Sequence, residues 1–468
     1  MIKDSALERF IVLYIPWLLA VLFSSDPELS FMIAWLGSFL IFAVTLTGWV
    51  KPIPTDRSVA EQFMRPIFLM HIIFAGYMCC TSIFYFLSLL GYQNFHAATF
   101  HSLPDKVQVG LAAECQRYYC LGHAAMVTGI LLFMKYPVEK KYHIEGSALA
   151  DLLLRFAVIL VPVALAFLKV PGLSQFFNQF NTLSFIAGTL ALAFAIPLRK
   201  PVNIAICGAL YLYNFYQAFT SGYKEPIIIS ILVLGIFLYP SYKRAVLSIF
   251  IPAILLLFFF LPTYNRTFRQ NAWAGDASSD EASQAALDAA LNSDDDISET
   301  NWDFAVYRLS EIDMFTKFVA NTPSNISYYG FSLLKQSAIA IIPRFFWPSK
   351  PSTEDLVMER VYDAGVVYRA SRVSAKPAFI VDAYLSYGGL GVFLILFAYG
   401  ATAQLIALKA EYLFGGYLLG TALIFSGLFQ IFWRGLSFEF LINNVFWSYI
   451  SMLIIAKILR SRNILKSV

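Results

Sequence analysis

The chain has 468 residues, 59% of them hydrophobic and 14% charged, with a mean hydropathy of +0.65. Soluble domains are about 45–50% apolar and ~25% charged, so a soluble globular enzyme is excluded. A net charge of +4 is also too small to make nucleic acid the expected partner.

The apolar residues come in continuous blocks of about 20, long enough to cross a ~30 Å hydrocarbon layer as helix. A membrane β-barrel would show ten-residue alternation instead. The fold class read from this pattern is an all-α polytopic membrane protein. In chain order the blocks predict transmembrane helices over 10–24, 30–50, 66–90, 114–134, 150–169, 182–198, 202–220, 225–241, 244–262, 379–406, 411–432 and 440–459, twelve in all. The first block has no small-residue cleavage site after it and is expected to be retained.

Short connections on one side carry Lys51, Arg57, Arg65, Lys135, Lys140, Lys141, Arg199, Lys200, Lys243, Arg244 and Lys409, with Lys457, Arg460, Arg462 and Lys466 at the end of the chain. The opposite short loops hold little beyond Lys106, Lys169, Lys224 and Arg434. By the positive-inside rule both termini are expected in the cytoplasm and the one long connection, 263–378, outside. The chain thus divides into helices one to nine (1–262), a large outer loop (263–378) and helices ten to twelve (379–468). Within the loop, 270–300 has eight acidic residues and no basic one, and is expected to be mobile with at most a marginal helix. The remainder, 301–378, is aromatic-rich and ordered. WDFAVYRLSEIDMFTKFVAN places Phe304, Tyr307, Phe315 and Phe318 at helical spacing and predicts a membrane-surface helix. FSLLKQSAIAIIPRFFWPSKP is apolar but short, and Pro343 and Pro348 break it, which suits a re-entrant or interfacial segment.

The sequence lacks a phosphate-cradling GxxxxGK[ST], a GxGxxG, an HExxH and a GxSxG, so no nucleotide, zinc-protease or lipase chemistry is indicated. His71, His96, His101, His123 and His143 are scattered, which argues against a metal, and no cofactor is implied. His123 reads as an interior histidine before a base. Cys79, Cys80, Cys115, Cys120 and Cys207 read as packing thiols. What stands out is a set of cations expected outside: Lys224 and Glu225 in SGYKEP, Arg266, Arg269, Arg308, Arg344, Lys350, Arg369, Arg372, Lys376 and Arg434. Arginine's planar fork suits phosphate oxygens. Arg344 and Arg308 are the strongest candidates, because an idle charge within an aromatic, apolar stretch is costly. Candidate acid–base groups on that side are Glu311, Asp313, Asp382 and Glu439. The plain alternative for Glu311 is pairing with Arg308 at i, i+3.

IPRFFWPSKP followed by DAYLSYGGLGVFLILFAYG resembles the C-terminal signature of Wzy-type oligosaccharide repeat-unit polymerases of bacterial surface polysaccharide assembly; YRLSEID and SGYKEP resemble weaker elements of it. The resemblance covers about a hundred residues, 305–400. SGYKEP departs from the pattern in having Lys224 where arginine is more usual. The resemblance implies a GT-C-like fold in the bacterial inner membrane with a periplasmic active face. It also implies a glycosyltransferase joining undecaprenyl-diphosphate-linked oligosaccharides, the growing chain as donor and a single repeat unit as acceptor. On this reading Arg344, Arg308, Glu311 and Asp382 carry the chemistry. Lys350, Arg372, Arg434 and Lys224 bind diphosphate, while Trp347, Tyr384 and Tyr387, with Phe345 and Phe346, wall the sugar and lipid path. The partners implied are lipid-linked oligosaccharides, membrane lipids and a chain-length-regulating membrane protein. The alternatives are an O-antigen-ligase-like enzyme with the same donor and a lipid-linked glycan flippase. A flippase needs polar residues deep within many helices, and the mid-helix positions here read as overwhelmingly apolar.

Overall fold

The structure is a computed structural model that describes residues 8–97, 105–144, 146–220, 224–272, 277–292, 297–370 and 374–468. In chain order the helices are α1 (Ile15–Leu22), α2 (Pro27–Leu46), α3 (Pro66–Leu89), α4 (Lys106–Phe133), α5 (Gly146–Lys169), α6 (Phe177–Ala195), α7 (Pro201–Phe219) and α8 (Lys224–Ala272). There follow α9 (Ser279–Asn292), α10 (Ile297–Phe304), α11 (Ile312–Asn321), α12 (Ser332–Ile341), α13 (Thr353–Asp363), α14 (Phe379–Leu413), α15 (Tyr417–Leu428) and α16 (Phe438–Ser461). Strand pairing among the described residues is confined to two-residue ladders, Tyr92–Gln93 with His96–Ala97 and Tyr142–His143 with Lys466–Ser467.

Among the described residues six helices are long and apolar enough to cross a bilayer: α2, α3, α5 (from Ala148), α8 (from Ile227), α14 and α16. The chain is therefore an all-α membrane protein, and the departures from the twelve expected spans have local causes. α8 covers two of them, 225–241 and 244–262. At Tyr242 the backbone leaves helical geometry (φ −135°, ψ 47°), and the ring of Phe250 lies against Gly235, so the two arms fold back on each other. The expected span 411–432 is instead α15, which contains a π-helical stretch, Gly420–Phe425, and gives way to a short turn, Gln430–Arg434.

α4 and α14 form the central pair. A Cβ on Gly129 would lie 2.2 Å from the Phe397 carbonyl oxygen, and one on Gly400 would lie 2.1 Å from that of Met126. Only hydrogen side chains allow the two backbones so close, and dispersion at this distance holds helices together where lipid offers no hydrophobic drive. α4 is buried along most of its length, with Cys115, Tyr119, Cys120, Ala124 and Ile130 fully enclosed. Protein rather than lipid therefore surrounds it, and polar residues are tolerated there.

Buried ion clusters fasten both ends of α14. At one end Arg65, fully buried, pairs with Asp56 (2.7 Å) and Glu411 (3.1 Å) and sits 3.7 Å from the centre of the Tyr136 ring. The same end gathers Arg9, which donates to the Trp49 carbonyl, and the ladder that ties Tyr142–His143 to the last residues. At the other end Arg360 pairs with both Asp382 (2.9 Å) and Glu439 (2.8 Å). About 40 Å of helix separates Asp382 from Glu411, the depth of a bilayer with its headgroups. Segments 297–370 and 374–378 pack over this second end. The acidic stretch ahead of it carries an ordered helix: α9 buries Ala282 and Ala286 against Tyr264 and Phe268 of α8.

Candidate functional site

The loop-bearing end is assembled from backbone groups that meet specific side chains. The continuous helix expected over 302–321 is broken. α10 runs into a π turn, Ala305–Leu309, and Glu311 takes a left-handed conformation (φ 58°) before α11 begins. The break corrects the i, i+3 reading of Arg308 and Glu311, because the two do not share one helical surface. Two tyrosines hold the broken segment: Tyr77 of α3 donates to the Arg308 carbonyl at 3.1 Å, and Tyr119 of α4 donates to the Ser310 carbonyl at 2.9 Å. These bonds fix the backbone and leave the Arg308 side chain exposed.

α12 lies along α16, and its C-terminal carbonyls find donors within the protein. Lys350 Nζ donates to the oxygens of Ala340 (3.2 Å) and Ile342 (2.7 Å), and Trp447 Nε1 donates to that of Ile341 (2.8 Å). A helix end beside lipid requires such partners. This placement corrects the assignment of Lys350 to diphosphate binding: its ammonium is buried against carbonyls. Burial and the neighbouring Arg344 charge hold its pKa below the ordinary lysine value. Arg344 is exposed and bears no ion pair among the described residues. Phe345, Phe346 and Trp347 beside it are 59%, 72% and 37% exposed. Gly172, at φ 82° in the α5–α6 connection, lies against the Arg344–Phe345 backbone, where a Cβ would sit 2.4 Å from the Phe345 nitrogen.

The motif DAYLSYGG is where α14 breaks. Tyr387 (φ −151°) and Gly388 (φ 61°) are non-helical, and the Leu385 and Ser386 carbonyls so freed accept from the N–H groups of Tyr329 (2.9 Å) and Gly330 (3.1 Å). Asp382, fully buried, accepts from Arg360 Nε at 2.9 Å and Nη2 at 3.0 Å, and from the Phe438 N–H at 2.8 Å. Glu439 grips the same guanidinium through two bonds of 2.8 Å. The sequence reading offered Asp382 as a free outer carboxylate; the structure makes it half of a clamp. Arg360 escaped that reading, although a signal was present: it shares a buried face of α13 with Val357 and Val361, where an arginine demands a partner.

Between these supports lies an aromatic basin. Tyr118 stacks near Tyr384 (centroids 4.9 Å apart), with Phe315 and Tyr328 at 5.6 and 5.9 Å from Tyr384. Tyr384 itself is buried and donates to the Thr322 carbonyl at 2.6 Å, so it braces the basin from within instead of walling a path. Tyr387 is 41% exposed and meets Phe331 edge-on. Half-buried Glu114 accepts from Tyr118 at 3.0 Å, and the sequence reading passed over it. Its one legible sign was a tyrosine four residues on, the next turn of the same helix face. Arg434 ends the Gln430–Arg434 turn, just before the Gly435 carbonyl that accepts from the Phe379 N–H. Lys224 opens α8, with its side chain outside the described residues, as is the whole of Arg372.

An apolar crevice of about 430 Å³ opens between α12, α14 and α16, lined among others by Leu334, Ile341, Phe379, Tyr399, Leu441 and Val445. Ile341 is three residues from Arg344. The described residues contain no group of three or more His, Cys, Asp or Glu able to hold a metal ion.

The fold and this end of it define an all-α membrane protein in which the segment between α8 and α14 is fastened to the long helices by buried charge and backbone hydrogen bonds. The chain belongs to a family described as a domain of unknown function (DUF8712), whose model matches residues 15–467. Neither a curated protein nor a solved structure matches it significantly.

Proposed function

We propose that the chain is a polysaccharide polymerase, a glycosyltransferase that joins undecaprenyl-diphosphate-linked repeat units on the periplasmic face of the bacterial inner membrane. The observation that carries this reading is the apolar crevice lined by Ile341, three residues before exposed Arg344, and by helix α14, which also carries Tyr384 of the aromatic basin. An isoprenoid tail fits the crevice, a diphosphate fits the guanidinium, and sugars stack on tyrosines. The positive-inside distribution of short-loop cations supports placing this end in the periplasm.

In the proposed reaction an acceptor hydroxyl attacks the anomeric carbon of the donor sugar, and the lipid diphosphate leaves with the bonding electrons. Negative charge grows on the diphosphate as the bond breaks, so a fixed guanidinium stabilises the transition state more than the ground state. Arg344 is assigned that role, with Arg308, exposed on the segment that Tyr77 and Tyr119 hold, as a second cation. Asp382 has its oxygens occupied by Arg360 and Phe438; half-buried Glu114 beside Tyr118, with Glu311 at the start of α11, is assigned to take the hydroxyl proton.

The test is gene deletion in the native host, with complementation by the parent and by Arg344→Ala and Arg308→Ala, reading lipid-linked and surface glycans by gel and mass spectrometry. Collapse to single repeat units, restored by the parent and not by stable Arg344→Ala, is the expected result. Long chains retained on undecaprenyl diphosphate would make the protein a ligase, and unpolymerised units held in the cytoplasmic leaflet a flippase. Full activity in both arginine variants would remove the diphosphate clamp from the mechanism.

A further inference from the structure

The interior is not uniformly apolar, as the mid-helix residues suggested. Along the line where α2, α3 and α4 meet, His71 and His123 face each other with Nε2 atoms 2.5 Å apart, both fully buried. Phe42 of α2 stacks on His71 at 4.1 Å between centroids and meets His123 edge-on at 5.2 Å. On the same face of α2, Ser38 and Thr45 lie one turn before and one turn after Phe42, and both are fully buried. α4 presents Gln116, Cys120 and His123 at helical spacing, and Gln116 Nε2 donates to the Cys79 carbonyl at 3.0 Å. That carbonyl ends a π-helical stretch of α3, Ile72–Cys79, and the next one, of Cys80, accepts from Trp35 Nε1 at 2.8 Å. π turns recur at functional sites because they displace the helix register and release carbonyls.

Five polar atoms in this seam have no well-aligned hydrogen-bond partner among the described residues: Ser38 Oγ, Thr45 Oγ1, His71 Nδ1, Gln116 Oε1 and His123 Nδ1, of which His71 lies near the Ile67 backbone and Ser38 near the Cys79 thiol. Each such atom carries a desolvation cost, and five together would rival the net stability of a whole domain. Buried polar groups in this position are satisfied by internal water. The other titratable groups along the seam are the thiols of Cys79, Cys115 and Cys120 and the Tyr119 phenol. Its ends are marked by Arg117, which donates to Ser30 Oγ at 2.9 Å, and by Lys51, which donates to the Leu131 and Met134 carbonyls at 2.7 and 2.8 Å.

We infer that the α2–α3–α4 seam holds a file of water molecules and that the His71–His123 pair passes protons between them. Each ring is neutral, with one ring nitrogen protonated. Water delivers a proton to the bare Nδ1 of the ring that donates through Nε2, and that ring's Nε2 proton crosses to the second ring. The second ring's Nδ1 proton then leaves to water on the far side. One proton enters, one leaves, and both rings end neutral with exchanged tautomers, so the site needs no stable imidazolium in the membrane interior. Intramembrane histidines facing a bundle interior are characteristic of such relays. This site shares no residue with the proposed polymerase machinery.

The experiment uses full-length protein in nanodiscs with ¹⁵N-labelled histidine and His96→Gln, His101→Gln and His143→Gln, so that the pair alone reports. After transfer to D₂O at pH 7 the ring N–H signals are followed by solid-state NMR. Exchange within minutes is expected, slowed at least tenfold in Ser38→Ala/Thr45→Val, which removes two water ligands and leaves the rings intact. Melting gives a second reading of opposite sign for the two cases. A dry seam gains stability when unpartnered hydroxyls are removed, whereas a hydrated seam loses it. Ring protons that persist for hours, or parental exchange in the double variant, overturn the inference. Should the double variant not fold, the parental exchange time alone decides between the two.

Discussion

Replacing Arg360 with alanine removes the cation lying between two buried carboxylates. The parent makes four charge-assisted bonds there, at 2.9 and 3.0 Å to Asp382 and twice 2.8 Å to Glu439, with the arginine 2% exposed and both acids fully buried. Breaking a buried pair by deleting one partner costs about 3–5 kcal/mol, because the remaining charge stays desolvated. Here one deletion strands two acids, so Arg360→Ala is expected at or above the top of that range, a large part of a typical net stability of about 5–15 kcal/mol. The loss should concentrate where α13 docks on α14 and α16. Thermal unfolding in nanodiscs and trypsin digestion at Lys335, Arg344 and Arg369 are the assays, with a lower melting temperature and rapid cutting between α11 and α14 expected. Arg360→Leu/Asp382→Asn/Glu439→Gln, which takes away every formal charge in the cluster, should recover most of the loss. An Arg360→Ala protein that melts with the parent and resists trypsin equally would refute the reasoning.

Lys350→Met takes the donor from two carbonyls at the end of α12, at about 1–3 kcal/mol for each acceptor left unpaired; unchanged melting would show that water replaces the ammonium. Gly172→Ala puts a Cβ 2.4 Å from the Phe345 nitrogen at a left-handed φ. It should shift the Arg344 segment and shorten the surface glycan while leaving protein levels near parental, a change read by gel and immunoblot. Hydrogen bonds from Arg65, working against burial, hold the Asp56 carboxyl below its ordinary 3.8. Its contribution to stability is therefore complete above pH 3.8 and is lost as pH falls through the lower native value. Acid-unfolding curves of the parent and Asp56→Asn should converge below that range, and parallel curves would exclude the pair as a source of acid sensitivity.

Most of the membrane-embedded architecture was legible because lipid imposes a simple rule: continuous apolar length. That rule locates α2, α3, α5, α14 and α16 within a few residues, and even the reversal at Tyr242 was marked by Lys243 and Arg244. It failed where backbone geometry changes inside an apolar stretch. The π turns at Ile72–Cys79 and Gly420–Phe425 and the break at Tyr387–Gly388 keep the composition of helix while altering the register. Residues such as Gly388 hint at a break, but what makes it tolerable is the pair of distant donors Tyr329 and Gly330.

The outer arginines show the same division. Arg344 and Lys350 sit six residues apart in one motif and read alike as cations on an aromatic background, yet one is exposed and the other caps a helix. Charge type is written in the sequence; the surface a side chain meets depends on which helix packs beside it. Asp382, Glu439 and Arg360 come from three elements, and nothing in any one segment announces the others. His71 and His123 likewise read as isolated residues 52 positions apart. Composition and hydrophobic block length, which report the solvent around each segment, determined by themselves that this is a helical membrane protein. Only the tertiary structure decided which polar groups meet, because in a low-dielectric interior each must find its partner wherever packing brings it, independent of distance along the chain.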